Sequence, residues 1–224
     1  NLMPQPLNDR DLQELERQLS RPSGTAVAEL AQNMDATNRS MTVAAVEQLQ
    51  LTDQQRVLEI GPGNAGHLAH VLGQAKDLAY WGLEISETMQ AEAQRITADL
   101  IAEQSVTFQR YDGQQLPFPD AHFDRVMTVN TLYFWTNPVA FLGEIYRVLR
   151  PGGYAVICYA QKSFMERLPF VRDKFTLYDN AAVRQLVERA GGRILDLSDR
   201  SETVRSKAGD QVQRDFSLAK TQPK

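Results

Sequence analysis

Cysteine occurs once in the 224 residues, at Cys158. One thiol builds neither an internal disulfide nor a multi-cysteine zinc site, which excludes small disulfide-stapled and zinc-ribbon architectures. Set among the apolar residues of GYAVICYA, Cys158 reads as a small packed hydrophobe. Positive charge is not in excess: 24 Lys and Arg stand against 28 Asp and Glu, a net charge of −4. An acidic chain has no general attraction for a phosphate backbone, so nucleic acid is not an expected partner. No apolar run reaches the roughly 18–20 residues that span a bilayer, and no membrane association is expected. The first stretch, NLMPQPLNDRDLQELERQL, is polar and has no apolar signal core, so the expected location is cytoplasmic. Also missing are the H-E-x-x-H and G-x-S-x-G patterns and any pairing of the cysteine with a histidine. Neither a metal nor an obligate catalytic triad is expected.

Hydrophobic residues make up 42% and charged residues 23% of the chain, enough for a packed core,. The length suits one α/β domain, or a core domain with a small cap. Residues 1–51 read as a helical arm. Leu12, Leu15 and Leu19 recur at helical spacing, RPSG at 21–24 breaks the pattern, and TAVAELAQNMDATN and SMTVAAVEQLQL follow as two further helical pieces,. From Arg56 the pattern alternates. RVLEI, DLAYWGLEI, VTFQRYD, FDRVMTVN and YAVICYA read as strands, separated by helical stripes. Ser86 is placed to cap one helix, and Asn137-Pro138 to open another. This rhythm predicts a mostly parallel sheet covered on both faces. NAAVRQLVERAGG is a further helix. RILDL and RDFSLAK close the chain as strands joined by a polar, hairpin-like return, which makes one of them antiparallel.

Ligands of such sheets bind at the carboxyl ends of the strands. The loops there are EIGPGNAG, GLEIS, RYDGQQLPF and VNTLYFW. Gly61, Gly63 and Gly66 satisfy G-x-G-x-x-G, a pattern that alone fits NAD, FAD or another ligand. Glu84, ending the second strand, is placed to accept both hydroxyls of an adenosine ribose. Asp112, ending the third, is placed to accept from an adenine amine. Glu59 lies within the first strand, two residues before Gly61. A carboxylate there repels a pyrophosphate but suits a cationic ligand, which weighs against a dinucleotide.

Together, VLEIGPGNAG, GLEIS, DGQQLPFPDAHFD and YRVLRPGG resemble the ordered motifs of class I S-adenosylmethionine-dependent methyltransferases of the small-molecule, type 11 kind. The resemblance runs from about Arg56 to Ala160. It implies a Rossmann-like, doubly wound, seven-stranded α/β sheet over residues 52–224, with the last strand inserted antiparallel. It implies S-adenosyl-L-methionine as cofactor and S-adenosyl-L-homocysteine as product. Gly61, Pro62 and Gly63 would pass close to the methionine part, and Glu59 would act on its ammonium end. Glu84 would hold the ribose and Ile85 pack on the adenine. Asp112, with the backbone of Gly113 and Gln114, would meet the adenine amine. Asn130 would lie near the sulfonium through its carbonyl.

The sequence departs from the family at Ala65, where a third glycine is usual; Gly66, one place later, is expected to take over part of the turn. Tyr133 and Trp135, with Phe134 between them, are the expected lining of an acceptor pocket. The helical arm, especially Asn33–Met41, or 161–175 is expected to act as a lid. His67, His70 and His122 read as surface or solvated positions. The expected activity is methyl transfer to a small-molecule acceptor by in-line displacement, in a monomer or homodimer. The readings it competes with are an NAD(P)-dependent oxidoreductase and a non-catalytic binder of the adenosyl ligand that acts as a regulator.

Overall fold

A computed structural model of the chain describes residues 7–24, 27–205 and 210–224. Residues 1–6 and 25–26 of the expected arm, and 206–209 of the expected polar return, lie outside the described residues. Two helices come first, α1 (Asp9–Ser20) and α2 (Val27–Leu49). Asn8 opens α1 with a capping box: its side chain accepts from Asp11 N, and the Asp11 side chain returns to Asn8 N,. The two helical pieces expected in this region are a single helix, α2. Its polar middle persists because it is held from outside: Arg214 donates to Thr37 O at 2.8 Å, and Ser40 bonds the Glu202 carboxylate. Its end buries Ala45, Val46 and Leu49 in the main core, each of the larger two worth about 2 kcal/mol.

Then β1 (Arg56–Ile60), α3 (Leu68–Leu72), β2 (Ala79–Glu84), α4 (Glu87–Ile96), α5 (Ala98–Glu103), β3 (Ser105–Arg110) and β4 (Phe123–Val129) alternate. A one-turn 3₁₀ helix at Leu132–Phe134 leads to α6 (Pro138–Val148) and β5 (Leu149–Ala160). α7 (Lys162–Met165), α8 (Asn180–Arg189), β6 (Gly192–Arg205) and β7 (Gln211–Pro223) complete the chain. The expected caps are in place: Ser86 Oγ accepts from Met89 N at 3.2 Å, and Asn137 caps α6 with Pro138 in its first turn.

The strands form one seven-stranded sheet in the order β3-β2-β1-β4-β5-β7-β6. β1 to β5 pair in parallel. β7 is inserted antiparallel between β5 and β6, as the resemblance implied; the hairpin reading required only its antiparallel run. The order reverses at β1, so the loops after β1 and β4 diverge there and open a crevice. β6 and β7 are longer than RILDL and RDFSLAK. They remain paired out to Arg205 and Gln211, whereas β5 reaches only Phe216, so the hairpin overhangs the carboxyl ends of the sheet. There Arg214, only 5% exposed, bonds Glu202 at 2.7 Å and reaches α2.

At the opposite end, His122 is only partly solvated. Its ring is half-buried against Phe118, Phe123 and Trp81. Burial, and then the charges of Arg56 and Arg150, hold it below the usual histidine value,.

Candidate active site

The loops after β1, β2, β3 and β4 converge on a cavity of about 300 Å³, closed from the other side by α1, α2 and the 21–24 linker. The β1 loop is a tight turn with Gly61, Gly63 and Ala65 at φ of 69°, 61° and 55°. Gly66 is not among the positive-φ positions, so the expected sharing of strain does not occur: Ala65 itself takes the left-handed conformation. Asn64 Oδ1 accepts from Gly66 N at 2.9 Å and fixes the turn. Gly61 N donates to Leu83 O at 2.9 Å and ties the loop to β2. A Cβ on Gly63 would meet no atom within 4 Å, which leaves the backbone there approachable by a ligand. The Ala65 methyl points the other way, into the main core.

Glu84 is 7% exposed and lines the cavity. Burial pushes its carboxyl up to about 7, against backbone N–H groups of Ser86, Gly63 and Ile85 that favour the ionised form,. Asp112 is exposed at the rim; its Oδ1 accepts from Gln114 N and Gln115 N, both at 2.8 Å. Those bonds hold its pKa below the ordinary value. They leave Oδ2 for a donor in the cavity. Ile85, Gly113 and Gln114 line the same wall. Tyr111 lies between the two acids, its hydroxyl pushed up by burial and then by the charges of Glu84 and Asp112.

Glu59 lines the floor but is not alone there. It is 2% exposed, and its Oε1 receives the Tyr80 hydroxyl at 2.6 Å and His67 Nε2 at 2.6 Å. His67 is therefore not a surface residue: it is 5% exposed and lines the cavity. Helix periodicity did not indicate this, because its partner lies on a strand. His70 is likewise half-buried.

On the β4 side, Asn130 takes φ 58°, a conformation asparagine tolerates better than most residues. Its side chain is fixed by Tyr133 OH at 2.6 Å and Met41 Sδ at 3.4 Å. Phe134 and Trp135 line the cavity, and Tyr133 does not. The Tyr133 hydroxyl is consumed internally, donating to Asn130 and accepting from Ala160 N at 2.6 Å.

The roof comes from Leu19 to Pro22, Met34, Asn38 and Thr42. All belong to the expected helical arm, and Met34 and Asn38 fall in its Asn33–Met41 segment. Pro22 O accepts from the Ser86 hydroxyl and from Thr88 Oγ1, latching the linker beside Glu84. The 161–175 segment does not line the cavity. It braces the roof instead: Arg172 N donates to the buried Glu16 carboxylate at 2.6 Å, and Arg172 pairs with Asp9 at 2.9 Å.

A cavity with two carboxylates at the ends of adjacent strands, an approachable glycine loop and apolar walls fits an adenosyl amino acid. Comparison with known proteins points the same way. Residues 58–157 match the methyltransferase-domain family model. The uncharacterized methyltransferase YdaC of Bacillus subtilis is 28% identical over 124 residues, 55% of this chain and 66% of that protein. The fatty-acid O-methyltransferase of Mycolicibacterium smegmatis is 36% identical over 100 residues, 45% of this chain and 35% of that protein. The aligned stretch thus spans 66% or less of these relatives' own lengths. The crystal structure of a SAM-dependent methyltransferase from Aquifex aeolicus superposes with a TM-score of 0.63 at 19% identity, covering 86% of this chain and 97% of that one, a likeness of fold. Residues 58–157, a little under half of the chain, are thus similar to the methyltransferase-domain family.

Proposed function

We propose that the chain binds S-adenosylmethionine in the crevice above β1 and β4 and transfers its methyl group to a small-molecule acceptor. The observation that carries this reading is the convergence of Glu84, Asp112 and the Gly61–Gly63 loop on one cavity. When bound, the cofactor supplies a methyl on a sulfonium whose leaving group is neutral.

The protein's part is placement. Glu84 accepts the ribose hydroxyls through its two oxygens. Asp112, its other oxygen already committed to the backbone, accepts from the adenine amine, and Ile85 packs on the ring. Pro62 and Gly63 line the path of the amino-acid end, and Asn130, held by Tyr133 and Met41, fixes the backbone after β4. The arm excludes water from above, braced by 161–175, so that acceptor and methyl meet in line; such alignment lowers the entropic part of the barrier. Phe134, Trp135 and Met34 offer an apolar wall to the acceptor. The M. smegmatis relative is a fatty-acid O-methyltransferase, and an acceptor of that small-molecule scale is the reading favoured for this chain.

The test is incubation with methyl-labelled S-adenosylmethionine and a panel of carboxylic acids, phenols, amines and thiols. Labelled product from at least one class is expected. Binding of the cofactor without transfer to any class contradicts the catalytic half of the reading.

A further inference from the structure

Resting on the binding mode just given, we infer that His67 and Tyr80 are positioning residues. They hold the Glu59 carboxylate so that its second oxygen serves the ammonium group at the amino-acid end of the ligand. The three side chains come from β1, β2 and the start of α3, and all are nearly solvent-free: Glu59 2%, His67 5% and Tyr80 1% exposed. Both donors fall on the same oxygen, Oε1, at 2.6 Å each. Facing a carboxylate oxygen, His67 Nε2 carries the proton. A buried carboxylate is costly unless hydrogen-bonded, and two donors on one oxygen meet that need while leaving Oε2 with its acceptor capacity. Glu59 and His67 both line the cavity, as do Gly61 and Gly63 directly above them, and Tyr80 sits behind. An ammonium donating to Oε2 would complete a charge-assisted contact in a site shielded from water. Without His67 and Tyr80, the carboxylate is free to rotate out of that geometry. The further charge that acts on the cluster is that of Glu84, at the end of β2; burial, then Glu59 and Glu84, raise the Tyr80 hydroxyl.

The experiment is calorimetric titration of the full chain with two probes. S-adenosylhomocysteine carries the amino-acid end, and 5′-methylthioadenosine shares the adenosine but lacks it. His67→Leu and Tyr80→Phe are expected to weaken the first probe about tenfold, the loss of one hydrogen bond to a charged group, and to leave the second unchanged. His67→Gln, which restores an N–H at the Nε2 position, is expected to recover most of the loss. Equal weakening of both probes, or no weakening of either, overturns the inference. Should His67→Leu not fold, Tyr80→Phe and His67→Gln carry the same comparison. A parent chain that binds neither probe overturns the proposed function itself, which separates the two failures.

Discussion

Glu84 places an ionisable group where burial favours the neutral form, and the consequences for stability and for binding have opposite signs. Its carboxyl is raised from 4.5 to about 7. Below 4.5 it is protonated in folded and unfolded chains alike; above 7 the folded chain must hold it ionised. Stability is therefore lost as pH rises through that window. Glu84→Gln is expected to stabilise the ligand-free protein at pH 8, by at most about 3 kcal/mol, and to do nothing at pH 4. Thermal unfolding at the two pH values checks this. Binding should respond the other way. Affinity for S-adenosylhomocysteine rises from pH 6 to pH 8 in the parent, as the diol acceptor ionises, and is weaker and flat in Glu84→Gln. Ala65 is a second residue-scale case. Glycine there relieves about 1–2 kcal/mol of left-handed strain but removes a buried methyl, about 0.8 kcal/mol, and adds freedom to the unfolded chain, about 0.5–1 kcal/mol. Ala65→Gly is expected to leave both the unfolding free energy, within about 1 kcal/mol, and ligand affinity unchanged, because the methyl lies in the core and not in the cavity. The acids at strand ends were legible in the sequence because parallel-sheet geometry places strand ends together. His67 was not, because its burial depends on a partner eight residues back on another element.

Among the elements, α1 and 161–175 act on each other more than on the cavity. Glu16→Ala removes the acceptor of Arg172 N and leaves a backbone donor unpaired, about 1–3 kcal/mol. Amide exchange in α1 is expected to accelerate while β1 and β4 stay protected, and affinity for S-adenosylhomocysteine to fall; unchanged exchange in α1 contradicts a bracing role. A different element contact supports the glycine loop from below: a Cβ on Gly82 would meet the Phe108 ring at 2.8 Å and Pro62 Cγ at 3.1 Å. Gly82→Ala should thus destabilise by about 1–3 kcal/mol and weaken ligand binding through Pro62. Element types were legible wherever one face is apolar, as in RVLEI or the α6 stripe. They were not where outside contacts decide. The middle of α2 is polar because it docks on the β6–β7 overhang, and that overhang is polar because most of it faces solvent, so neither shows the periodicity of a buried element.

At the scale of the whole molecule, the sheet order follows from the rhythm of strands and helices, and the crevice follows from the order. The insertion of β7 between β5 and β6 was implied by the resemblance, and the antiparallel β6–β7 pair by the absence of a helix between the last two strands. What lay beyond the sequence is how the first helices close the crevice, since Pro22, Ser86 and Thr88 meet only across more than sixty residues of chain. The central claim is that this crevice takes an adenosyl amino acid and not a dinucleotide, with Glu59 beneath the glycine loop as the residue that discriminates. Calorimetric titration of the parent chain with S-adenosylhomocysteine and with NAD tests it most directly. The account predicts one-to-one binding of the thioether and no heat from NAD; binding of NAD without the thioether would contradict it.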